Sequence, residues 1–533
     1  MHHGLKEKGY KTFTALMIVV VTLLLQGCSS DLLDVIEGFT NPVHTESSDV
    51  PKPSQAAIEL HNRLSYVTDM HADTLQFVKE DGPYDSYDRI LKNEKELGHV
   101  DLPRLLKGNV SLQIFSVFTK GSLDVYEGFE FQCGNPEDNT CLKQSFSRDP
   151  DIRRYDDPQR PYADDLGCWL SRDVGVYFTW LLGRPCEQWY QNGDWIFDYS
   201  ILDLSKKDCP RFHELLKNHP DFLTNRVHAE RALWTAGLAD RIGQKSEKLT
   251  IIRNRNELIQ HEQKMRSGHA KEVAGLLSME GLYFRSQKYA SNGSRDSYLL
   301  DTFNEYYNAG YRMMSLTHFL DNDWGGSSTG VKKGGITKEG EELVRLMFEK
   351  GVIVDVAHAS PTLIRDIVKL AIQARKPVVY SHGGLSQYKP EHPLCSRVRN
   401  IGDEQIRQIA STGGVVGIGH GHHFNCGTKP ADSVEAMMHA IKVIDREPLY
   451  YNDIHGERKL VRGVEHVSLG SDYDGGIQAH TSTKHLVKIT ESLMSQQCKK
   501  GNGKDERCFS DNEIELLMGK NSWKLIHDQL PES

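Results

Sequence analysis

Side chains that can hold a metal or move a proton recur at one kind of place in this sequence, directly after a short apolar run. His71 and Asp73 follow the run at Tyr66–Thr68, and Glu280 ends Ala274–Met279. His318 follows Arg312–Thr317, His358 follows Val352–Val356, and His382 follows Val378–Tyr380. Asp472 follows Val467–Gly470. Neutral imidazole and carboxylate together suit zinc or another borderline divalent cation. Each residue alone has a plainer use, as a helix cap, a turn residue or a satisfied loop histidine. The repetition gives them meaning as a set. His71, Asp73, Glu280, His358 and His382 supply three imidazoles and two carboxylates, more than one tetrahedral zinc takes. A carboxylate that bridges two ions resolves the excess, and Glu280 is the central candidate. Two such ions would hold and acidify a water between them.

The positioning elements can be read from the stretch between Gly351 and Gly384. Val352–Val356 is apolar and β-branched, as a strand buried on both faces requires. Pro361 suits the first turn of a helix, and Leu363, Ile367 and Leu370 mark one face of it. Lys376-Pro377 ends that helix, and Val378–Tyr380 is a second strand. Strand, helix and strand close most readily as parallel neighbours. His358 and His382 then emerge at the C-terminal edge of one sheet, where α/β proteins place their chemistry. Counting strands that precede helical stretches gives eight, near residues 67, 113, 276, 314, 354, 379, 416 and 468. Eight βα units predict an α/β fold, a TIM (β/α)8 barrel. A further short run, Leu249–Ile252, is assigned to the barrel's periphery. Residues 122–246 interrupt the rhythm with five cysteines and an aromatic cluster. They read as a large insertion after the second strand, helical near Arg226–Leu238. Asn512–Ile526 reads as a closing amphipathic helix.

The chain has 533 residues and a net charge of -9, which gives no sign of nucleic-acid binding. Lys6, Lys8 and Lys11 precede an uncharged apolar run, Thr12–Leu25, that ends in Gln26-Gly27-Cys28. That run is short for a membrane span and has the layout of an export signal. The cysteine after a small residue is similar to a bacterial lipoprotein box, with Cys28 as the lipidated residue. On this reading residues 1–28 are a lipoprotein signal, 29–56 a tether, and 57–528 the barrel. The protein would sit lipid-anchored in a bacterial cell envelope. Serines at 29 and 30 are similar to an outer-membrane delivery signal, facing the periplasm or the cell surface. Ten cysteines in an exported chain suggest disulfides.

The ordered set His71-x-Asp73, Ser278–Gly281, Leu316–His318, Asp355–His358, Ser381-His382, Arg399-Asn400 and Gly470–Gly475 resembles the membrane (renal-type) dipeptidases, amidohydrolase-like metallopeptidases. The resemblance covers about 56–121 and 247–528. It implies one zinc held by His71, Asp73 and Glu280 and a second held by Glu280, His358 and His382. It implies that His318 and Arg399 bind substrate and that Asp472 handles protons. It also implies a Cys395–Cys426 disulfide. The implied activity is hydrolysis of dipeptides, including those with a C-terminal D-residue, by a metal-bridging hydroxide. A homodimer is compatible with it. The chain departs from the pattern at Ala357, where serine is usual, at Gly383, and in the length of 122–246. His420, His422 and His423 lie outside the pattern and read as a solvated loop. Two other functions stay open: an amidohydrolase acting on another small amide or lactone, and a non-catalytic surface lipoprotein.

Overall fold

The computed structural model describes residues 52–77, 90–92, 98–118, 190–191, 194–195, 225–267, 271–282, 295–318, 321–330, 332–392, 399–475, 477, 479–499 and 505–533. Cys28, Cys395 and most of 122–224 lie outside the described residues.

The eight expected strands form one closed parallel barrel. They are β1 (Thr68–Ala72), β2 (Leu112–Phe118), β3 (Val273–Glu280), β4 (Tyr311–Ser315), β5 (Ile353–Asp355), β6 (Val378–Tyr380), β7 (Val415–Ile418) and β8 (Val467–Leu469). Each pairs in parallel with its sequence neighbour, and Asp69 of β1 opposite Leu469 of β8 closes the ring. Helices follow the strands: α1 (Leu102–Lys107), α2 (Asn225–Gln244), α3 (Arg295–Ala309), α4 (Lys338–Lys350), α5 (Pro361–Ala374), α6 (Asp403–Ala410), α7 (Pro430–Asp445) and α8 (Val487–Ser495). Helix α5 shows how the sequence writes these units. Ser360 accepts the amide of Leu363 at 3.0 Å, which caps the first turn, and Pro361 occupies N1. Leu363, Ile364, Ile367, Val368 and Leu370 are buried.

The run Leu249–Ile252 does form a peripheral strand. It pairs with Val273–Leu276, the first half of β3, while β4 pairs with Leu277–Glu280, the second half. The stretch read as an insertion ends in α2, whose Ala232, Ala236, Leu238, Ala239 and Ile242 are buried in the main apolar cluster. The Tyr311 hydroxyl donates to the Ala232 carbonyl at 2.7 Å. Residues 232–242 therefore pack into the barrel's main apolar cluster.

The closing segment differs from the single helix expected. Asp511–Glu515 is α-helical, Leu516–Lys520 widens into a π-turn, and Asn521–Gln529 resumes the helix. The break is at Gly519, with φ +143°. A Cβ there would lie 2.1 Å from the Thr68 amide nitrogen and 2.5 Å from the Tyr66 carbonyl. Only glycine lets the two backbones approach so closely. Beyond the break, Trp523 and Ile526 join Met70, Ile114, Leu276, Met313 and Val379 in a second apolar cluster. A hairpin at the C-terminal side, Gln497–Lys499 with Asp505–Arg507, carries a Cys498–Cys508 disulfide that the sequence had not paired.

Candidate metal centre

His71 lies in β1 with Asp73 just past its end, and Glu280 is the last residue of β3. His318, His358 and His382 follow β4, β5 and β6, and Asp472 follows β8. All these side chains converge at one barrel mouth. His358 Nε2 is 2.7 Å from Glu280 Oε1, and His382 Nε2 is 3.3 Å from the same oxygen. His71 Nε2 lies 3.7 Å from Glu280 Oε2, 3.5 Å from Asp73 Oδ2 and 3.8 Å from Asp472 Oδ1. His318 Nε2 lies 3.6 Å from Glu280 Oε2. Glu280 thus stands in the middle, one oxygen toward His358 and His382 and the other toward His71 and His318. Two of these positions are held in the left-handed region, His358 and Asp472, each with φ +62°. Such conformations persist where the surroundings over-determine them.

The cluster has the chemistry of a cation site. His71 Nε2 and Asp73 Oδ1 are buried without a hydrogen-bond partner among the described residues. Unpaired buried polar atoms cost free energy, and a cation between them would satisfy both. Ligand atoms come within 4.8 Å of one another in three groups: His71 with Asp355 and His382, Glu280 with His318 and His358, and His71 with Asp73 and Asp472. Gly475 leaves room for them, since a Cβ there would strike Asp472 Oδ1 at 2.2 Å and Asp73 Oδ2 at 2.8 Å. Charge points the same way. Burial pulls the His71 pKa down, but Glu280, Asp73 and Asp472 outweigh it and lift it to about 10. Burial pushes Asp472 well above the carboxylate range, with His71 opposing and Asp73 adding to the rise. The carboxylates draw positive charge to His71, and a divalent ion would supply it in place of the proton.

A second ring of residues aims the imidazoles. Ser381 Oγ donates to Asp355 Oδ2 at 2.6 Å and accepts from His382 Nδ1 at 2.9 Å. That bond sets the His382 tautomer and turns the Nε2 lone pair toward the centre. Burial, reinforced by His71 and Arg399, pushes the His382 pKa well down, so the ring stays neutral. Under β1, Asp69 accepts from the Ser471 amide at 2.7 Å, from Ser471 Oγ at 2.6 Å and from Gln113 Nε2 at 3.0 Å. This ties the Asp472 turn to the strand that carries His71. Sequence reading gave Asp69, Asp355, Ser381 and Ser471 no role. The available signal was period two along a strand, which puts Asp69, His71 and Asp73 on one side.

Arg399 reaches the same centre from the loop after β6. Its Nη2 donates to His382 Nε2 at 2.6 Å, its Nη1 to the Tyr380 hydroxyl at 3.4 Å, and the residue is 6 % exposed. His318 stacks on Phe118, ring centroids 5.4 Å apart. His420 is not the solvated loop residue expected. It follows β7, is fully buried, and its Nδ1 lies 2.9 Å from the Tyr473 hydroxyl. His422 and His423 begin a short helix, His422–Asn425, and are half-buried. Cys426 is disulfide-bonded. Its expected partner, Cys395, lies outside the described residues.

Residues 230–530, more than half of the chain, match the sequence profile of the membrane dipeptidase family, peptidase family M19. An uncharacterized dipeptidase of Schizosaccharomyces pombe is 28% identical over 229 residues, 42% of this chain and 47% of the relative. Dipeptidase verJ of Clonostachys rogersoniana is 27% identical over 357 residues, 66% of this chain and 72% of the relative. Dipeptidase aclJ of Aspergillus oryzae is matched over 41% of its length, so the chain spans under half of two of these relatives. Among solved structures, the metallopeptidase dipeptidase AC superposes with a TM-score of 0.50 at 16% identity, covering 88% of this chain and 100% of that one. That likeness shows a shared fold.

Proposed function

Because this chain belongs to the membrane dipeptidase family, peptidase family M19, we propose that it is a metal-dependent dipeptidase that hydrolyses the single peptide bond of dipeptides with a C-terminal residue of either hand. The observation that carries the reading is Glu280, whose two oxygens face two separate pairs of imidazoles. On this reading the cofactor is two zinc ions per chain. His71, Asp73 and Glu280 would hold one, and Glu280, His358 and His382 the other. When bound, such a pair acidifies water and polarises a carbonyl.

The chain's own residues then divide the remaining work. Arg399 binds the substrate's terminal carboxylate, a bidentate task for guanidinium. In this structure its Nη2 spends a proton on the His382 Nε2 lone pair. One lone pair cannot serve a guanidinium and a cation at once, so a cation at His382 would displace the arginine Nη2 from it. His318, beside Glu280 and stacked on Phe118, donates to the scissile carbonyl oxygen as charge develops there. Asp472, whose Oδ1 lies 3.8 Å from His71 Nε2 and 3.9 Å from His382 Nε2, carries the proton to the leaving amine. Burial of all these groups excludes bulk water and strengthens each interaction.

Dipeptide hydrolysis measured before chelation, after it, and after zinc is returned tests this reading. Activity should vanish and come back. Turnover unaffected by exhaustive chelation would end it. The proposal extends to the amino terminus, where Cys28 carries lipid and anchors the protein in the cell envelope; Cys28→Ser should release it from membranes. It extends also to a Cys395–Cys426 bridge, which non-reducing peptide mapping would identify.

A further inference from the structure

His382 Nε2 has two claimants. Ser381 Oγ donates its one hydrogen to Asp355 Oδ2 at 2.6 Å, so toward His382 Nδ1, 2.9 Å away, it can only accept. The imidazole proton is therefore on Nδ1, and the ring's lone pair is on Nε2. Arg399 Nη2 donates to that atom at 2.6 Å. Glu280 Oε1 and His358 Nε2 each stand 3.3 Å from the same atom, so the arginine reaches into the residues assigned to the second ion. The guanidinium is a cation of the chain's own, bonded to an atom that would ligate that ion.

Behind the guanidinium stands Tyr380. Its ring centre is 6.0 Å from Arg399 Cζ, and its hydroxyl accepts from Nη1 at 3.4 Å, a long and weak bond beside the one to His382. A guanidinium and a divalent ion cannot share one lone pair, and their like charges repel at short range. A carboxylate bound to the arginine removes both obstacles. It gives Nη2 a charged acceptor in place of the imidazole, and it offsets the positive charge.

We infer that Arg399 couples the two ligands of this site: the carboxylate end of a substrate and the ion at His382 each bind more tightly when the other is present. The inference rests on the metal-dependent dipeptidase reading, which supplies both ligands. Without a carboxylate, Arg399 competes with the ion for His382. With one, the arginine is turned away and the lone pair is open to the ion. The effect is reciprocal by thermodynamic necessity, so an ion already at His382 displaces Nη2 and readies the arginine for a carboxylate.

The test titrates zinc into the chelated full chain against a competing fluorescent chelator. It uses wild type, Arg399→Met and Arg399→Gln, each with propionate, with propionamide and with neither. Without additive, both variants should bind one of the two zinc ions about tenfold to a hundredfold more tightly than wild type, and the other within about threefold of it. Damage to the fold would weaken both ions instead. Propionate should tighten the same single ion in wild type by about threefold or more, propionamide should not, and neither variant should respond. If methionine is not tolerated at this buried position, the glutamine variant and the propionate effect on wild type still decide the matter. Zinc affinity unchanged or weakened in a folded variant, or no propionate effect in wild type, would overturn the coupling. A propionate effect that persists without the arginine would overturn it too, because the carboxylate would then be a direct ligand of zinc. Dipeptide hydrolysis by the same preparations separates this inference from the reading beneath it. Hydrolysis without coupling removes the inference alone, coupling without hydrolysis removes the dipeptidase reading alone, and a wild type that binds no zinc removes both.

Discussion

Replacing Arg399 by methionine probes the part of the site that measures substrate length. Arg399 is 6 % exposed and its Nη2 sits 2.6 Å from His382 Nε2, so any carboxylate it binds is held beside the reaction centre and away from bulk water. Opposite unit charges about 4 Å apart attract by about 4 kcal/mol at an effective dielectric constant near 20. Truncating one partner of a buried charge pair costs about 2 to 5 kcal/mol. Taking about 2 to 4 kcal/mol as the range, kcat/KM for a dipeptide should fall by about 30-fold to 1,000-fold in Arg399→Met. Removing the charge from the substrate is the complementary perturbation. Wild type should discriminate against a dipeptide C-terminal amide by a similar factor, and the variant should lose most of that discrimination. Zinc content and thermal midpoint should stay near wild type, because methionine fills the same apolar stem volume. The assay is initial-rate hydrolysis of Ala-Ala and Ala-Ala amide by both proteins, with metal analysis of each. Equal turnover of acid and amide by wild type, or an undiminished preference in Arg399→Met, would refute the clamp.

Three further outcomes follow from the geometry. Purified protein should contain near two equivalents of zinc, and Glu280→Gln should lose most of the metal while keeping its far-UV circular dichroism; one equivalent, unchanged in the variant, would exclude the bridge. His61 is buried with its Nε2 2.9 Å from the Gly108 carbonyl, and burial lowers its pKa to about 4, the carbonyl opposing. Above pH 6.5 it is neutral in both states and adds no pH dependence. As pH falls from 6.5 toward 4 only the unfolded chain takes the proton, so stability drops by up to about 3 kcal/mol. The urea midpoint of His61→Gln should therefore fall less than that of wild type between pH 7.5 and 4.5, and parallel losses would refute the assignment. Gly519→Ala, with φ +143° and the Thr68 nitrogen 2.1 Å from the new Cβ, should cost about 3 kcal/mol or more in the same assay, and a neutral result would show that the backbone yields there.

Much of the barrel and of its rim is local information. Strand β5 and His358 lie within a few residues of each other, as do β6 and His382, and each βα unit is written by adjacent apolar, capping and breaking residues. Right-handed closure of successive parallel units then leaves little freedom, so strand-end residues were already destined for one rim. Leu249–Ile252, assigned to the periphery, pairs there with the first half of β3.

What the linear order withheld depends on contacts across the ring. The Ser471 bonds to Asp69 span 402 residues, and the Ser381 bond to Asp355 couples two different strands. Period two marks Asp69 within its own strand, but nothing local pairs it with Ser471 or pairs Ser381 with Asp355. The burial of His420 follows from Tyr473 arriving beside it, 53 residues later. The π-turn at Gly519 answers to the backbone of Thr68, not to its own neighbours. Residue type and spacing along a strand decided which side chains would meet. Closure of the barrel decided how far apart their atoms stand, which protons and lone pairs they keep, and what lies behind Arg399, because distance, burial and hydrogen-bond direction exist only once remote segments pack.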